Sequence, residues 1–113
     1  MKLFAGDVVV VDLGVPIGSE AGFVRPAVVV SAAAWLDHGP STAFVVPLTT
    51  TKRTYPSHVE ISPDDINGLD QASYAQVEHL RSVAFSRLSE ASGNVGPSTM
   101  SALRDVASLL LGL

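Results

Sequence analysis

The chain contains 113 residues, of which 47% are hydrophobic and 16% charged, and its formal net charge is −4. This length suits one compact domain spanning residues 1–113, and the apolar fraction excludes an intrinsically disordered chain. The absence of cysteine excludes a disulfide framework and thiolate catalysis. The acidic balance excludes a broad basic surface for nucleic acid, but the 7 Lys and Arg residues can still form a local one.

The first elements in chain order are two predicted strands and a long loop. Val8–Val11 is β-branched and bounded by turn residues, which predicts a strand that is buried on both faces or lies at the seam of a barrel. Leu13–Val24 contains three glycines and a proline and predicts a loop, and loops of this length are often functional. Ala27–Ser31 predicts the second strand, with Pro26 at its beginning.

Four further apolar segments each predict a strand. They are Ala43–Leu48, His58–Ile61, Ser73–Val77 and Val83–Phe85. Pro47 marks the end of the first of them or places it at a sheet edge, because proline has no N–H to donate. Their spacing and the turn residues between them favour a small barrel or a strongly twisted sheet.

The C-terminus has the periodicity of an amphipathic helix. Apolar residues recur at three- and four-residue steps across Met100–Leu111. Pro97 suits the first helical turn, Gly96 or Ser98 could cap it, and Gly112 could end it. Strands followed by one helix predict an α+β fold.

No targeting or membrane segment is recognisable. The N-terminal apolar run is interrupted at Asp7 and Asp12, which is not typical of a signal peptide. Ala27–Leu36 has only about half the length that a bilayer-spanning helix needs. We therefore expect a soluble, cytoplasmic protein with no membrane partner.

The first candidate site joins Gly18-Ser19-Glu20 in the long loop to Arg25-Pro26 after it. A mobile loop can deliver a carboxylate, and an arginine at the mouth of a strand can form two parallel hydrogen bonds to a phosphate. On spacing alone, the ordinary alternative is a solvated glutamate and an arginine paired with a nearby acid such as Asp12.

The second candidate site is Thr49–Thr51 with the adjacent cations Lys52 and Arg53. Hydroxyl groups at the end of a strand can bind phosphate oxygens, and the two cations add positive charge. This combination predicts a contact with a phosphate backbone, although threonines are also ordinary strand formers.

The histidines give a weaker signal. His38, His58 and His79 lack the spacing of metal ligands, so no metal site is predicted. His58 follows Tyr55-Pro56 and could stack or titrate, but a histidine on a strand surface more often has no catalytic role.

Together these motifs resemble the MazF/PemK family of toxin endoribonucleases from bacterial toxin–antitoxin systems. The resemblance runs from about Gly6 to the C-terminus and depends on the combination of motifs. These are Gly18-Ser19-Glu20 with Arg25-Pro26, Pro47-Leu48-Thr49-Thr50, Tyr55-Pro56, Gln76-Val77 and Ser86-Arg87-Leu88.

The resemblance implies an SH3-like, strongly curved antiparallel β-barrel with a C-terminal α-helix. It also implies a homodimer, a cognate antitoxin, and cleavage of single-stranded RNA without a metal or other cofactor. By position, the catalytic residues fall on Arg25 and Thr49, with Glu20 in the loop over the site. The substrate-binding positions fall on Ser19, Thr50, Lys52, Arg53, His58 and Gln76.

Three positions depart from the family pattern. Val10 stands where an aromatic residue is usual, and Ala75 where an aspartate commonly precedes the glutamine. Phe23-Val24 occupies a place where polar or basic residues are common. These differences bear on the RNA sequence preference more than on the reaction.

The implied reaction uses the 2′-OH of the RNA as the nucleophile and leaves a 2′,3′-cyclic phosphate and a 5′-OH end. We expect Arg25 to stabilise the charge on the phosphorane and Thr49 to hold a non-bridging oxygen. A guanidinium is hardly ever deprotonated in proteins, so the base remains open between Glu20 and His58.

Two other functions remain open at this point. Toxins of the same fold that poison DNA gyrase share a tryptophan-containing C-terminal tail, whereas this chain ends in Leu111-Gly112-Leu113 and its single tryptophan is Trp35. The other alternative is an interaction module with a decayed site, and the joint presence of Glu20, Arg25 and Thr49 argues against it.

Overall fold

The computed structural model describes the whole chain, Met1–Leu113, and places the strands before a long C-terminal helix. The strands are β1 (Asp7–Asp12), β2 (Val24–Val29), β3 (Thr42–Thr49), β4 (His58–Ile61), β5 (Ser73–Gln76), β6 (Arg81–Ala84) and β7 (Gly93–Asn94). The α-helices are α1 (Ala33–Leu36) and α2 (Gly96–Leu111), and short 3-10 turns cover Val77–His79 and Phe85–Arg87. The predicted α+β class is confirmed.

A single antiparallel sheet contains all 7 strands, in the order β4-β5-β3-β2-β1-β7, with β6 added beside β3. The two ends of the long strand β3 pair with different strands on the same side: Thr42–Val45 pairs with β6, and Leu48–Thr49 pairs with β5. This branching, together with the natural twist of the strands, curls the sheet into a half-barrel. The predicted strong curvature is thereby confirmed.

Two prolines lie inside strands rather than at their ends. Pro47 falls between the β6 and β5 ladders of β3, where a residue without an N–H is tolerated. The strand continues to Thr49 and lies between β5 and β2, so both predicted alternatives, a strand end at Pro47 and a sheet edge, are wrong. Pro26 is likewise inside β2, which begins earlier than predicted, at Val24, while its pairing with β3 starts only at Ala27.

The valines of β1 are buried on both faces of the sheet, as predicted. Val8 belongs to a core cluster of 10 buried residues that includes the inner face of α2. Val9 and Val11 belong to a second cluster of 9 buried residues. Because side chains alternate along a strand, these two clusters receive opposite faces of β1, and only Val10 is exposed.

The helix α2 closes the first of these clusters by burying apolar residues such as Leu103. It ends at Gly112, whose φ of 72° is the left-handed conformation that favours glycine, as predicted. The predicted N-caps at Gly96 and Ser98 are wrong, because the N-cap residue is Val95. The side chain of Val95 is apolar and cannot accept a hydrogen bond from the first turn of the helix.

The segment after β2 forms the short helix α1, which the sequence did not predict. None of its residues is buried, and Trp35 is 47% exposed. Most of its apolar side chains therefore lie on the outer surface, and Leu36 packs, partly buried, against the second core cluster. No helix in the chain is both long and apolar enough to cross a bilayer.

Candidate active site

A polar cleft of about 620 Å³ opens where β2, the end of β3, the end of β5 and the loop after β1 meet. It contains all the predicted catalytic residues and half of the predicted substrate contacts. The residues that line it are Ser19, Glu20, Ala21, Arg25, Thr49, Thr51, Arg53, Tyr55, Gln76, Glu78 and His79. Four separate segments thus bring the predicted site together.

Arg25 is held in the cleft by two hydrogen bonds to neutral groups. Its Nε donates to the carbonyl of Gly22 at 3.0 Å, and its Nη1 donates to Oε1 of the buried Gln76 at 3.4 Å. The alternative pairing with Asp12 does not occur, and no carboxylate lies within ion-pair distance of the guanidinium. Arg25 therefore keeps its full charge and most of its five N–H donors for a ligand.

The end of β3 supplies hydroxyl groups beside Arg25. The Oγ1 of Thr49 accepts a hydrogen bond from the backbone N–H of Thr51 at 3.2 Å, which fixes the oxygen and leaves its own O–H free to donate. Thr50 points away from the cleft into a smaller neighbouring cavity of about 220 Å³, which Arg25 also lines. Lys52 is exposed and lines neither cavity.

The loop over the cleft is closed at its base like a hairpin. The backbone N–H groups of Leu13 and Phe23 donate to the carbonyls of Phe23 and Gly14, at 2.9 and 2.6 Å. Phe23 has a φ of 61°, the one non-glycine residue of the chain in the left-handed region. Higher in the loop, Oε1 of Glu20 accepts from the N–H of Ile17 at 2.9 Å. Its other carboxylate oxygen makes no hydrogen bond within the chain.

Two cleft residues were missed by the sequence analysis. Glu78 and His79 lie in the 3-10 turn that follows β5, and both line the cleft and an adjoining cavity of about 550 Å³. The turn directly continues the strand that ends in Gln76, so the Gln76-Val77 motif was the available signal for their position.

His58 lies beneath the cleft instead of lining it. Only 3% of its side chain is exposed, and its Nε2 is 2.9 Å from Oε2 of Glu78. The ring also contacts Tyr55 edge-on, with 5.1 Å between centroids. In this position His58 reaches a substrate only through Glu78.

Glu78 is ionised near neutral pH. Partial burial raises the pKa of its carboxyl group, but hydrogen bonds from His58, the Glu78 backbone and Ser57 outweigh that effect and lower the pKa below its ordinary value of 4.5. The Nε2 of His79 lies 3.9 Å from the same oxygen, Oε2. The cleft thus presents cations and hydroxyls from β2 and β3 opposite a carboxylate and an imidazole.

Comparison with known proteins identifies the family of the chain. The profile of the PemK-like, MazF-like toxins of type II toxin–antitoxin systems matches residues 4–111. The chain belongs to this family. Endoribonuclease MazF9 of Mycobacterium tuberculosis is 37% identical over 115 residues, covering 96% of this chain and 95% of that protein. Endoribonuclease MazF of Staphylococcus saprophyticus is 31% identical, covering 96% and 90%.

Solved MazF structures share the fold. The crystal structure of MazF from Deinococcus radiodurans superposes with a TM-score of 0.82 and 26% identity, over 100% of this chain and 99% of that one. An endoribonuclease from a mycobacterial species, solved in complex with its cognate antitoxin, gives a TM-score of 0.78 and 28% identity over 98% and 96%. The curled antiparallel sheet with a C-terminal helix is therefore the MazF toxin fold, which confirms the resemblance seen in the sequence.

Proposed function

We propose that this toxin is a metal-independent endoribonuclease that cuts single-stranded RNA by attack of a ribose 2′-OH on the adjacent phosphorus. The observation that supports this most is Arg25, a fixed guanidinium in a polar cleft with no carboxylate within ion-pair distance of it. Such a site suits an anion, and the planar fork of arginine suits the oxygens of a phosphate.

Each neighbour of Arg25 has a role in this reaction. The guanidinium stabilises the negative charge that develops on the phosphorane, and the free O–H of Thr49 donates to a non-bridging oxygen. Gln76 is buried and holds the Nη1 side of Arg25, so it positions the cation. The protein thereby aligns a nucleophile that the RNA itself supplies.

Glu20 is the proposed base that takes the 2′-OH proton. Its loop lies over the cleft, and only one of its carboxylate oxygens is engaged within the chain. Ser19 and Arg53 line the cleft and contact the RNA there, and the exposed ring of Tyr55 offers a surface on which an unpaired base can stack. Thr50 and Lys52 lie farther out, along the neighbouring phosphates.

Incubation of the protein with a long single-stranded RNA in the presence of EDTA tests this function, with the cut ends mapped chemically. We expect discrete cuts that leave 5′-OH and 2′,3′-cyclic phosphate ends. Arg25→Ala and Thr49→Ala should lose cleavage, whereas Lys2→Ala and Thr42→Ala, which lie outside the cleft, should retain it. An intact RNA together with inhibition of gyrase supercoiling would instead favour the gyrase-binding alternative.

We also propose that a cognate antitoxin occupies the same cleft. A disordered segment that folds on binding could lay acidic side chains near Arg25 and the Lys52-Arg53 pair, and pin the loop Leu13–Val24. Antitoxin peptide and a non-cleavable RNA analogue should then compete, and Arg53→Glu should weaken both. Simultaneous binding of both ligands to the toxin would refute a shared site.

The proposed assembly is an isologous homodimer acting in the cytoplasm. Trp35 on α1, Phe44 on β3 and the α2 end at Leu109–Leu111 are exposed, although all are apolar. An interface between two subunits would remove such exposed apolar side chains from water. Light scattering should give the mass of a dimer at micromolar concentration, and a monomer mass would contradict this assembly.

A further inference from the structure

The cleft contains an imidazole to which neither the sequence motifs nor the family resemblance assigned a role. His79 ends the 3-10 turn after β5, and its imidazole lines both the cleft and the adjoining cavity. Of its side chain, 22% is exposed. A partly buried imidazole that solvent and substrate can reach is suited to proton transfer near neutral pH.

The surroundings of His79 favour a proton donor. Its Nε2 faces Oε2 of Glu78 at 3.9 Å, so that a protonated ring forms an ion pair with the carboxylate. Glu78 is itself fixed from below by the 2.9 Å contact with the buried His58. This contact fixes the carboxylate before substrate arrives and holds its charge 3.9 Å from Nε2 of the His79 ring.

We propose that His79, positioned by Glu78, is the general acid that protonates the 5′-oxygen leaving group of the RNA. This inference rests on the proposed ribonuclease function. As the bond between the 2′-oxygen and phosphorus forms, the 2′-OH proton passes to the base. As the bond between phosphorus and the 5′-oxygen breaks, its electron pair stays on that oxygen, which takes the proton from His79. Solvent then returns a proton to the imidazole.

The pH dependence follows from the groups that share these cavities with His79. Glu20 and Glu78 favour the cationic ring, while Arg25 and Arg53 across the cleft, and Arg81 and Arg87 in the adjoining cavity, oppose it. Only Glu78 is within ion-pair distance of the ring. Cleavage should therefore decline as the pH rises and His79 loses its proton, and this alkaline limb should be absent without His79.

Two RNAs of the same sequence test the assignment, one ordinary and one with sulfur in place of the bridging 5′-oxygen at the cut site. A thiolate leaves without being protonated, so it makes a general acid unnecessary. We expect the His79→Gln protein to cut ordinary RNA about 10²–10⁴-fold more slowly than the wild type does. The same variant should cut the sulfur-bridged RNA at close to the wild-type rate. The matched control is His38→Gln, because His38 is exposed and its ring contacts Trp35 at a tilt of 47°, away from the cleft.

The two substrates also separate the possible failures. An equal loss on both RNAs, or no loss on ordinary RNA, would overturn the role of His79 and leave the proposed ribonuclease function standing. A wild-type protein that cuts neither RNA would overturn the function itself. If circular dichroism shows that His79→Gln does not fold, Glu78→Gln replaces it. A moderate loss of the cleavage rate on ordinary RNA that disappears on the sulfur-bridged RNA supports the assignment. A loss that is the same on both RNAs refutes it.

Discussion

Arg25→Lys separates the charge of the guanidinium from its shape. Lysine keeps the positive charge but presents a compact ammonium on a flexible stem and cannot reproduce a planar fork. In the native chain the fork is fixed by the Gly22 carbonyl at 3.0 Å and the Gln76 side chain at 3.4 Å. Lysine would lose both fixed contacts and its alignment with the phosphate, while Arg25→Gln would also lose the charge.

These contacts set the expected magnitudes. A hydrogen bond to a charged group contributes about 1.5–3 kcal/mol, so Arg25→Lys should lower kcat/KM by roughly 10–150-fold. Loss of a donor aimed at the developing oxyanion costs about 2.7–4 kcal/mol, so Arg25→Gln should lose about 10²–10³-fold. Because Arg25 has no ion pair and is only partly buried, both variants should stay folded, with a stability loss of about 1–3 kcal/mol for the two hydrogen bonds that the guanidinium donates to neutral acceptors, one of them long at 3.4 Å.

The assay is single-turnover cleavage of a short RNA that contains one mapped cut site, with thermal unfolding of each variant measured in parallel. Lys2→Gln removes the same charge outside the cleft and should match the wild type. If Arg25→Gln is as active as Lys2→Gln, Arg25 does not stabilise the transition state. If Arg25→Lys is as active as the wild type, the charge alone suffices and the fork geometry has no role.

Three further changes test the structure independently. The pKa of Glu78 is lowered in the folded chain, so the stability that its carboxylate contributes is complete above the ordinary pKa of 4.5 and is lost as the pH falls through the lower folded value. The free energy of unfolding, measured in urea at a series of acidic pH values, should therefore fall less steeply with pH in Glu78→Gln than in the wild type. Gly93→Ala should destabilise the fold by about 1–3 kcal/mol in thermal unfolding, because the added Cβ would meet the backbone of Ile66 and Asn67. In the control Gly39→Ala the added Cβ has open space around it, and only the positive φ should cost stability, by about 1–2 kcal/mol. Leu103→Ala should cost about 2–5 kcal/mol, whereas Leu109→Ala, at an exposed position, should spare monomer stability and weaken self-association in light scattering.

The strands were predictable because their residues carry local information. The four valines at Val8–Val11 and the apolar segment Ala43–Leu48 are short, β-branched and flanked by turn residues, and both lie in strands. The errors occur where a distant partner decides the outcome. Pro47 is accommodated because β6 and β5 pair with different parts of β3, and no pattern within β3 shows this.

The predicted site was incomplete for the same reason. Arg25 and Thr49 could be carried over from a resemblance because each has a recognisable sequence context. Glu78 and His79 enter the cleft only because the turn after β5 meets the loop after β1, a contact between residues about sixty positions apart. The alternating pattern of His58–Ile61 correctly predicted a strand, but it could not show that the His58 side chain is buried beside the carboxylate of Glu78.

The double-sided burial of β1 has a consequence for how its register is specified. Consecutive valines look alike from either face, so the valines themselves do not distinguish two registers that differ by one residue. The polar residues at the two ends of the strand do, because a shift by one residue would put Asp7 in the place of the buried Val8 or Asp12 in the place of the buried Val11. Asp7 also makes specific contacts at the start of the strand. Asp7 accepts a hydrogen bond from the backbone N–H of Phe4 at 2.8 Å and another from the Asn94 side chain at 3.0 Å. One buried carboxylate thus aligns a strand whose own sequence is nearly uniform, and through β2 it sets where Arg25 stands in the cleft.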